Sequence, residues 1–201
     1  MKRLRAAAAA GLALAVPPAI AAPEEFNIDP SHTYPGFAVT HLGISTQRGR
    51  FDKTTGRILL DREKSQGSVE IAIDTTSIST GSPMLDRVLR GEDFFDVENH
   101  PRIVFRSTGV EFERGVLRSA RGDLTMLGVT KPVTLNIERF GCTRLPLMVR
   151  TTCGADMSTT VSRSAFGMDR YAAFIGDDVR IVVQVEAVKV EPAAEPPLPG
   201  G

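Results

Sequence analysis

Beyond its first two dozen residues the chain has no apolar run long enough to cross a bilayer and no lysine run or basic stripe. It also has no Cys-x-x-Cys pair, and its 201 residues include three histidines and two cysteines. Each shortage removes a class of function. Nucleic-acid binding draws on concentrated positive charge, so without it nucleic acid is set aside as a partner. A membrane-spanning helix needs roughly 20 apolar residues in succession, and no such segment is present. A thiol redox pair lacks its usual spacing. Between Phe26 and Lys189 there is no repeat, low-complexity block or linker-like stretch, so one continuous domain is expected.

What is present at the start has the form of an export signal. Lys2, Arg3 and Arg5 precede an apolar stretch from Ala6 to Val16, and Ala19-Ile20-Ala21 follows as a small-x-small triplet. This pattern predicts a secretory signal peptide over 1–21, cut after Ala21, because a cut after Ala22 would leave Pro23 immediately past it. No cysteine follows the cut to accept a lipid, so a soluble product outside the cytoplasm is expected. Cleavage removes three of the 24 basic residues and leaves 21 against 24 acidic ones, a mildly acidic protein. The domain is expected over 22–189. The segment 190–201 is rich in proline and glycine, can neither pair as a strand nor bury a face, and is expected to be a disordered tail.

Within the domain the dominant signal has period two, which places alternate side chains on one face of a strand. Val69, Ile71 and Ile73 alternate with Glu70 and Ala72; Ile103 and Phe105 alternate with Val104 and Arg106; Ile181, Val183 and Val185 alternate with Val182, Gln184 and Glu186. Further strands are expected at 36–42, 57–61, 110–113, 116–124, 133–139 and 158–162. Many short alternating strands with turn residues between them indicate an all-β sandwich or barrel, antiparallel because the connections are short. One helix is expected, from Pro83 to Arg90, with Ser82 as its N-cap and Gly91 as its stop. It would carry Met84, Leu85, Val88 and Leu89 on one face, closing the end of the sheet as a plug or a lid.

The polar residues suggest no chemistry. His32 and His41 are nine apart and would point to opposite faces of a regular strand, and His100 has no ligand-type neighbour at metal spacing, so no metal is expected. Ser31-His32 are adjacent, which turns their side chains apart and argues against a catalytic dyad. No catalytic residue and no cofactor are expected. Cys142 and Cys153, in an oxidising compartment, are expected to form a disulfide that pins one hairpin.

Ordered blocks along the chain carry a resemblance. His32-Thr33 is followed by Phe37, Val39 and His41, then by Gly49-Arg50-Phe51; Ile73-Asp74-Thr75 leads to Ser77-Ile78-Ser79-Thr80-Gly81; Leu89-Arg90 leads to Asp93-Phe94-Phe95-Asp96-Val97. Pro101, Ile103, Phe105, Ser107 and Thr108 come next, then Gly122 to Thr125, Gly128 to Val133, and Arg163-Ser164 with Phe166-Gly167-Met168. Together they resemble the YceI-like family of periplasmic, lipocalin-like proteins over nearly the whole domain. The resemblance implies an eight-stranded antiparallel lipocalin-like barrel with a short helix near one end. It also implies a periplasmic location and the binding of a polyisoprenoid or other long-chain lipid rather than catalysis. A homodimer is among the partners it allows.

For the pocket, the best inward candidates are Phe37, Val39, Phe51, Ile71, Ile73, Ile103 and Phe105, joined by Leu85, Leu89, Phe94 and Phe166. Arg90, Asp93 and Arg163, near loops or the helix end, are candidates to meet a lipid head group. The competing reading is a structural or stress-related, partner-binding barrel that stores no ligand; a filled interior and an exposed apolar patch would mark it.

Overall fold

The structure, a computed structural model, describes residues 23–144 and 150–191. The expected signal peptide and the tail from 192 onward lie outside the described residues. The chain runs through β1 (Glu24–Ile28), β2 (Tyr34–His41), β3 (Ser45–Phe51), β4 (Thr54–Asp61), β5 (Gln66–Asp74) and β6 (Ile78–Ser79). An α-helix, α1 (Pro83–Arg90), separates these from β7 (Arg102–Glu113), β8 (Val116–Met126), β9 (Val129–Arg144), β10 (Thr151–Ser162) and β11 (Ile175–Lys189). All pairings are antiparallel.

Three pairs of consecutive strands are single strands bent in the middle. β1 and β2 both lie against β11, β4 and β3 lie against β1 and β2, and β5 and β6 lie against β4 and β3. Counted this way the chain passes up and down through eight staves. The pairing of β1 with both β4 and β11 closes them into an eight-stranded barrel. Strand direction alternates, so one end, the rim, carries the turns at 42–44, 80–101, 127–128 and 163–174. The other end, the base, carries the chain termini of the domain and the turns at 62–65 and 114–115.

The bends are stitched by side chains. Where β1 gives way to β2, the Glu186 carbonyl on β11 still accepts from the Asp29 N–H at 2.8 Å, and the hydroxyl of Thr33 takes the strand neighbour's place at the Glu186 N–H. That hydroxyl donates to the Glu186 carbonyl at 3.3 Å and accepts from the Glu186 N–H at 3.2 Å. Thr33 is fully buried, where an unpaired backbone group would cost about 1–3 kcal/mol. At the next bends Ser77 accepts twice, from the Asp52 N–H at its carbonyl and from the Lys53 N–H at its hydroxyl.

The helix occupies the residues expected of it. Ser82 caps it by accepting from the Leu85 N–H, Pro83 opens the first turn, and Gly91 ends it. Arg90 holds its C-terminal end to the sheet, donating to the carbonyls of Thr76 (3.0 Å) and Ile78 (2.9 Å), and Asp86 accepts from the N–H and hydroxyl of Thr80. The expected apolar face divides: Met84 is 78% exposed, Leu85 and Leu89 are half-buried on the barrel cavity, and Val88 borders the cavity while remaining 48% exposed.

β1 and β3 were not among the expected strands. Ser45 to Arg50 is polar along most of its length because, at the rim, both faces of β3 meet solvent. The segments expected separately at 103–106 and 110–113 are one strand, β7, bent by a bulge between Ser107 and Gly109. Between β8 and β9 the chain turns on Leu127 and Gly128, both at positive φ (52° and 73°). Consecutive left-handed residues match the right-handed twist of a tight hairpin.

Candidate functional site: the barrel cavity

The barrel is filled at its base and open within toward its rim. In the lower half Phe26, Leu60, Leu117, Ile137, Met157 and Val185 are buried against one another, around a residual void of about 40 Å³. Above them lies a cavity of about 550 Å³. Close-packed interiors hold few voids larger than a water molecule, so a cavity of this size is a designed feature of the fold.

Period-two alternation supplies the walls. From β2 come Phe37, Val39 and His41, from β5 Ile71 and Ile73, and from β7 Ile103 and Phe105, all on the cavity. Beyond the level of Asp74 and Arg102 the wall between β6 and β7 is unpaired, and the segment from α1 to Pro101 covers the opening. Leu85, Val88 and Leu89 face the cavity from the helix, and Phe94 and Phe95 follow them. Phe95 meets Phe51 edge-on at 5.3 Å between ring centroids and Phe37 at 6.2 Å, and Phe37 lies 6.1 Å from Phe51. This triangle seals the helix segment to β2 and β3, with geometries that each favour aromatic contact.

Two rim loops are tied across the mouth. Phe94 stacks on Tyr171 at 5.9 Å, the Tyr171 hydroxyl donates to Asp93 at 3.3 Å, and Arg170 pairs with Asp93 at 3.1 Å. Leu42 donates its N–H to the carbonyl of Phe174, which joins the β2–β3 turn to the same loop. Around the mouth Ile44, Met84 and Phe174 stand exposed.

Among the described residues, the polar groups on the cavity are His41, Gln47, Arg48, Thr80, Thr159, Arg163 and Tyr171, with no carboxylate. Arg163 is 3% exposed, and its guanidinium donates to four carbonyls, those of Met168 (2.5 Å), Gly176 and Arg170 (both 2.9 Å) and Ile175 (3.1 Å). It thus clamps the whole 163–176 loop to the barrel. Beside it Asp177 accepts from the Ser164 N–H at 2.9 Å. Hydrogen bonds from the Ser162 and Ser164 hydroxyls and that N–H hold its carboxyl below the usual value.

Of the eleven apolar residues expected at the pocket, ten line this cavity: Phe37, Val39, Phe51, Ile71, Ile73, Leu85, Leu89, Phe94, Ile103 and Phe105. Phe166 instead packs in the core, 2% exposed, off the cavity wall. Of the three head-group candidates Arg163 lies on the cavity. Arg90 and Asp93 lie outside the lining: Arg90 is engaged by the carbonyls of Thr76 and Ile78, and Asp93 by Arg170 and Tyr171. Sequence reasoning did not assign to the pocket Val88 on the helix, Phe95 and Met168 in the rim loops, or the strand residues Leu124, Met126, Val133, Leu135, Val161, Val179 and Ile181, all of which line it. The alternation of the strand residues was legible, but not their height in the barrel.

Away from the cavity, Cys142 and Cys153 form the expected disulfide between directly opposed positions of β9 and β10. Arg62 points a guanidinium nitrogen at Cys142 Sγ, 2.6 Å away. His32 lies in the bend between β1 and β2 rather than in a strand. There its Nδ1 pairs with Asp29 at 2.8 Å, and ligand-type atoms of Asp29, His32 and Glu186 lie within 4.8 Å of one another on the outer surface. The hydrogen bond that the His32 ring donates to the Asp29 carboxylate raises the His32 pKa and lowers that of Asp29.

A family model described as a YceI-like domain matches residues 26–187. The chain is 36% identical over 141 residues to a UPF0312 protein of Photorhabdus laumondii, covering 70% of this chain and 73% of that one. Its fold is similar to that of BcnA from Burkholderia cenocepacia, with a TM-score of 0.68 and 22% identity over 79% of this chain and 98% of that one. It is also similar to a structure described as a polyisoprenoid binding domain from Saccharophagus degradans implicated in plant cell wall breakdown. That match has a TM-score of 0.60 and 14% identity, over 82% and 98% of the two chains.

Proposed function

Because the chain belongs to the YceI-like family, we propose that it is an exported binding protein that holds one long apolar amphiphile in its barrel: a polyisoprenoid, an isoprenoid quinone or a similar lipid. The observation that carries this reading is the cavity of about 550 Å³, walled by aliphatic and aromatic side chains, with its polar groups near the rim. An eight-stranded barrel has room for one small ligand. Each methylene removed from water is worth about 0.8 kcal/mol, so an apolar chain binds here without specific polar contacts. The side chains that line the cavity, from Phe37 and Phe51 on one wall to Ile103 and Phe105 on another, would hold the chain, with Arg163 nearest to a head group.

Binding rather than catalysis is supported by the lining itself. A catalytic site needs a nucleophile or acid–base pair within hydrogen-bond reach, and the titratable side chains on the cavity are His41, Arg48, Arg163 and Tyr171. A periplasmic location is supported by the Cys142–Cys153 disulfide, since such bonds persist in oxidising compartments. Among the described residues no helix is long and apolar enough to cross a membrane. The structure of the Saccharophagus domain supports an isoprenoid among the chemical classes named.

Native mass spectrometry of the protein purified from an exporting bacterium, followed by solvent extraction, tests this reading. A stoichiometric polyprenyl chain or quinone is the expected result. No bound species, and no uptake of added isoprenoids or fatty amphiphiles, would overturn it and put a partner-binding role first.

A further inference from the structure

The upper cavity and the small void below it share two wall residues. Along β5, Val69 lines the lower void, Ile73 the upper cavity, and Ile71 both. Along β9 the same sequence repeats: Ile137 lines the lower void, Val133 the upper cavity, and Leu135 both. The two strands stand three places apart in a ring of eight, on facing walls, and both side chains are buried. Below them the void is bounded in part by Ala120, Gly154, Ala155 and Ala187, residues too small to fill the lumen.

We propose that Ile71 and Leu135 form a floor that ends the cavity and sets the longest apolar chain the barrel accepts; this rests on the ligand-holding reading above. An alkyl chain entering from the rim gains with each methylene that leaves water. Once its end meets Ile71 and Leu135, further methylenes stay at the mouth in water and add nothing. Space already exists beneath the floor, so shortening either side chain joins the two volumes and lowers the point at which the chain stops. Enlarging one of them raises it.

The test is displacement of a fluorescent amphiphile from the delipidated protein by a homologous series of straight-chain fatty acids. Affinity is expected to rise about three- to fourfold per methylene and then level off at one chain length. Ile71→Ala and Leu135→Ala should move that break to longer chains, and Ile71→Phe to shorter ones. Ile73→Ala, which alters the upper wall alone, should weaken binding without moving the break. All four substitutions disturb the same core, so a general loss of stability would not shift the break in opposite directions. A break that stays in place in all variants, or a wild-type affinity that never levels off, overturns the floor while leaving the binding reading intact. Failure of the fluorescent amphiphile, of every fatty acid and of an added polyprenyl chain to bind overturns both.

Discussion

The ring of Phe105 occupies the place where a side chain on Gly122 would stand. A β-carbon at residue 122 would lie 2.7 Å from Phe105 Cζ and would clash with the carbonyl oxygen of Arg106. β7 and β8 approach this closely because Gly122, opposite Ser107 in the ladder, offers nothing to keep them apart. Gly122→Ala is therefore expected to destabilise the protein by about 1–3 kcal/mol, the usual cost of overpacking. Adding Phe105→Leu should restore only part, because the clash with the Arg106 carbonyl remains. Urea denaturation of the two variants checks this; a loss under about 0.5 kcal/mol, within the range of ordinary surface changes, would mean that the strands part easily here.

Removing the disulfide should loosen the β9–β10 hairpin. The cysteines are 11 residues apart, and in the chain-entropy model a loop of that size contributes about 3 kcal/mol. A Cys142→Ala, Cys153→Ala double variant should unfold at correspondingly lower urea and be indifferent to reductant, whereas reductant should lower the midpoint of the parent protein. Equal midpoints for reduced and oxidised parent would show that the strand ladder alone suffices.

Arg163 is a clamp by geometry, because its planar fork reaches four carbonyls at once. Lysine cannot reproduce that fork, so Arg163→Lys leaves buried acceptors unpaired and should cost about 1–3 kcal/mol. The loss should be local. Hydrogen exchange at the amides of Met168 and Ile175, which close turns within the clamped loop, should quicken more than at β5. Unchanged exchange at those amides would remove the clamp from the account.

Asp177 gives the same loop a pH dependence. Its folded pKa lies below the ordinary 3.8, chiefly through the Ser162 and Ser164 hydroxyls. A depressed carboxylate contributes stability that is present above the unfolded value and is lost as pH falls through the folded one. The gap in thermal midpoint between the parent and Asp177→Asn should therefore be constant near neutrality and shrink below pH 3.8. A gap that widens on acidification would contradict this assignment.

Much of the fold was legible because its signals are local. Val69, Ile71 and Ile73, or Ile181, Val183 and Val185, announce one apolar face whatever lies around them, and Ser82-Pro83 with Gly91 brackets a helix by backbone chemistry alone. Ser45 to Arg50 was not legible as a strand, because a strand wet on both faces has no alternation to read. Nor was the break between β1 and β2, where the Thr33 hydroxyl takes a strand neighbour's place for Glu186, 153 positions away.

The site divides along the same line. Sequence alone determined that the protein is all-β, that its strands each carry an apolar face, and that two cysteines would pair, since each follows from side-chain period or from a bare count. Tertiary structure decided which inward residues fill the base and which surround space. It also decided that Phe166 belongs to the core and that Arg163 is tied to carbonyls on the cavity wall. A side chain's height in a barrel depends on where eight strands close and in what register, which is a property of pairings far apart in the chain. Val69, Ile71 and Ile73 read alike in order, and only the closed ring sets the first beside the lower void, the second at the floor and the third on the cavity.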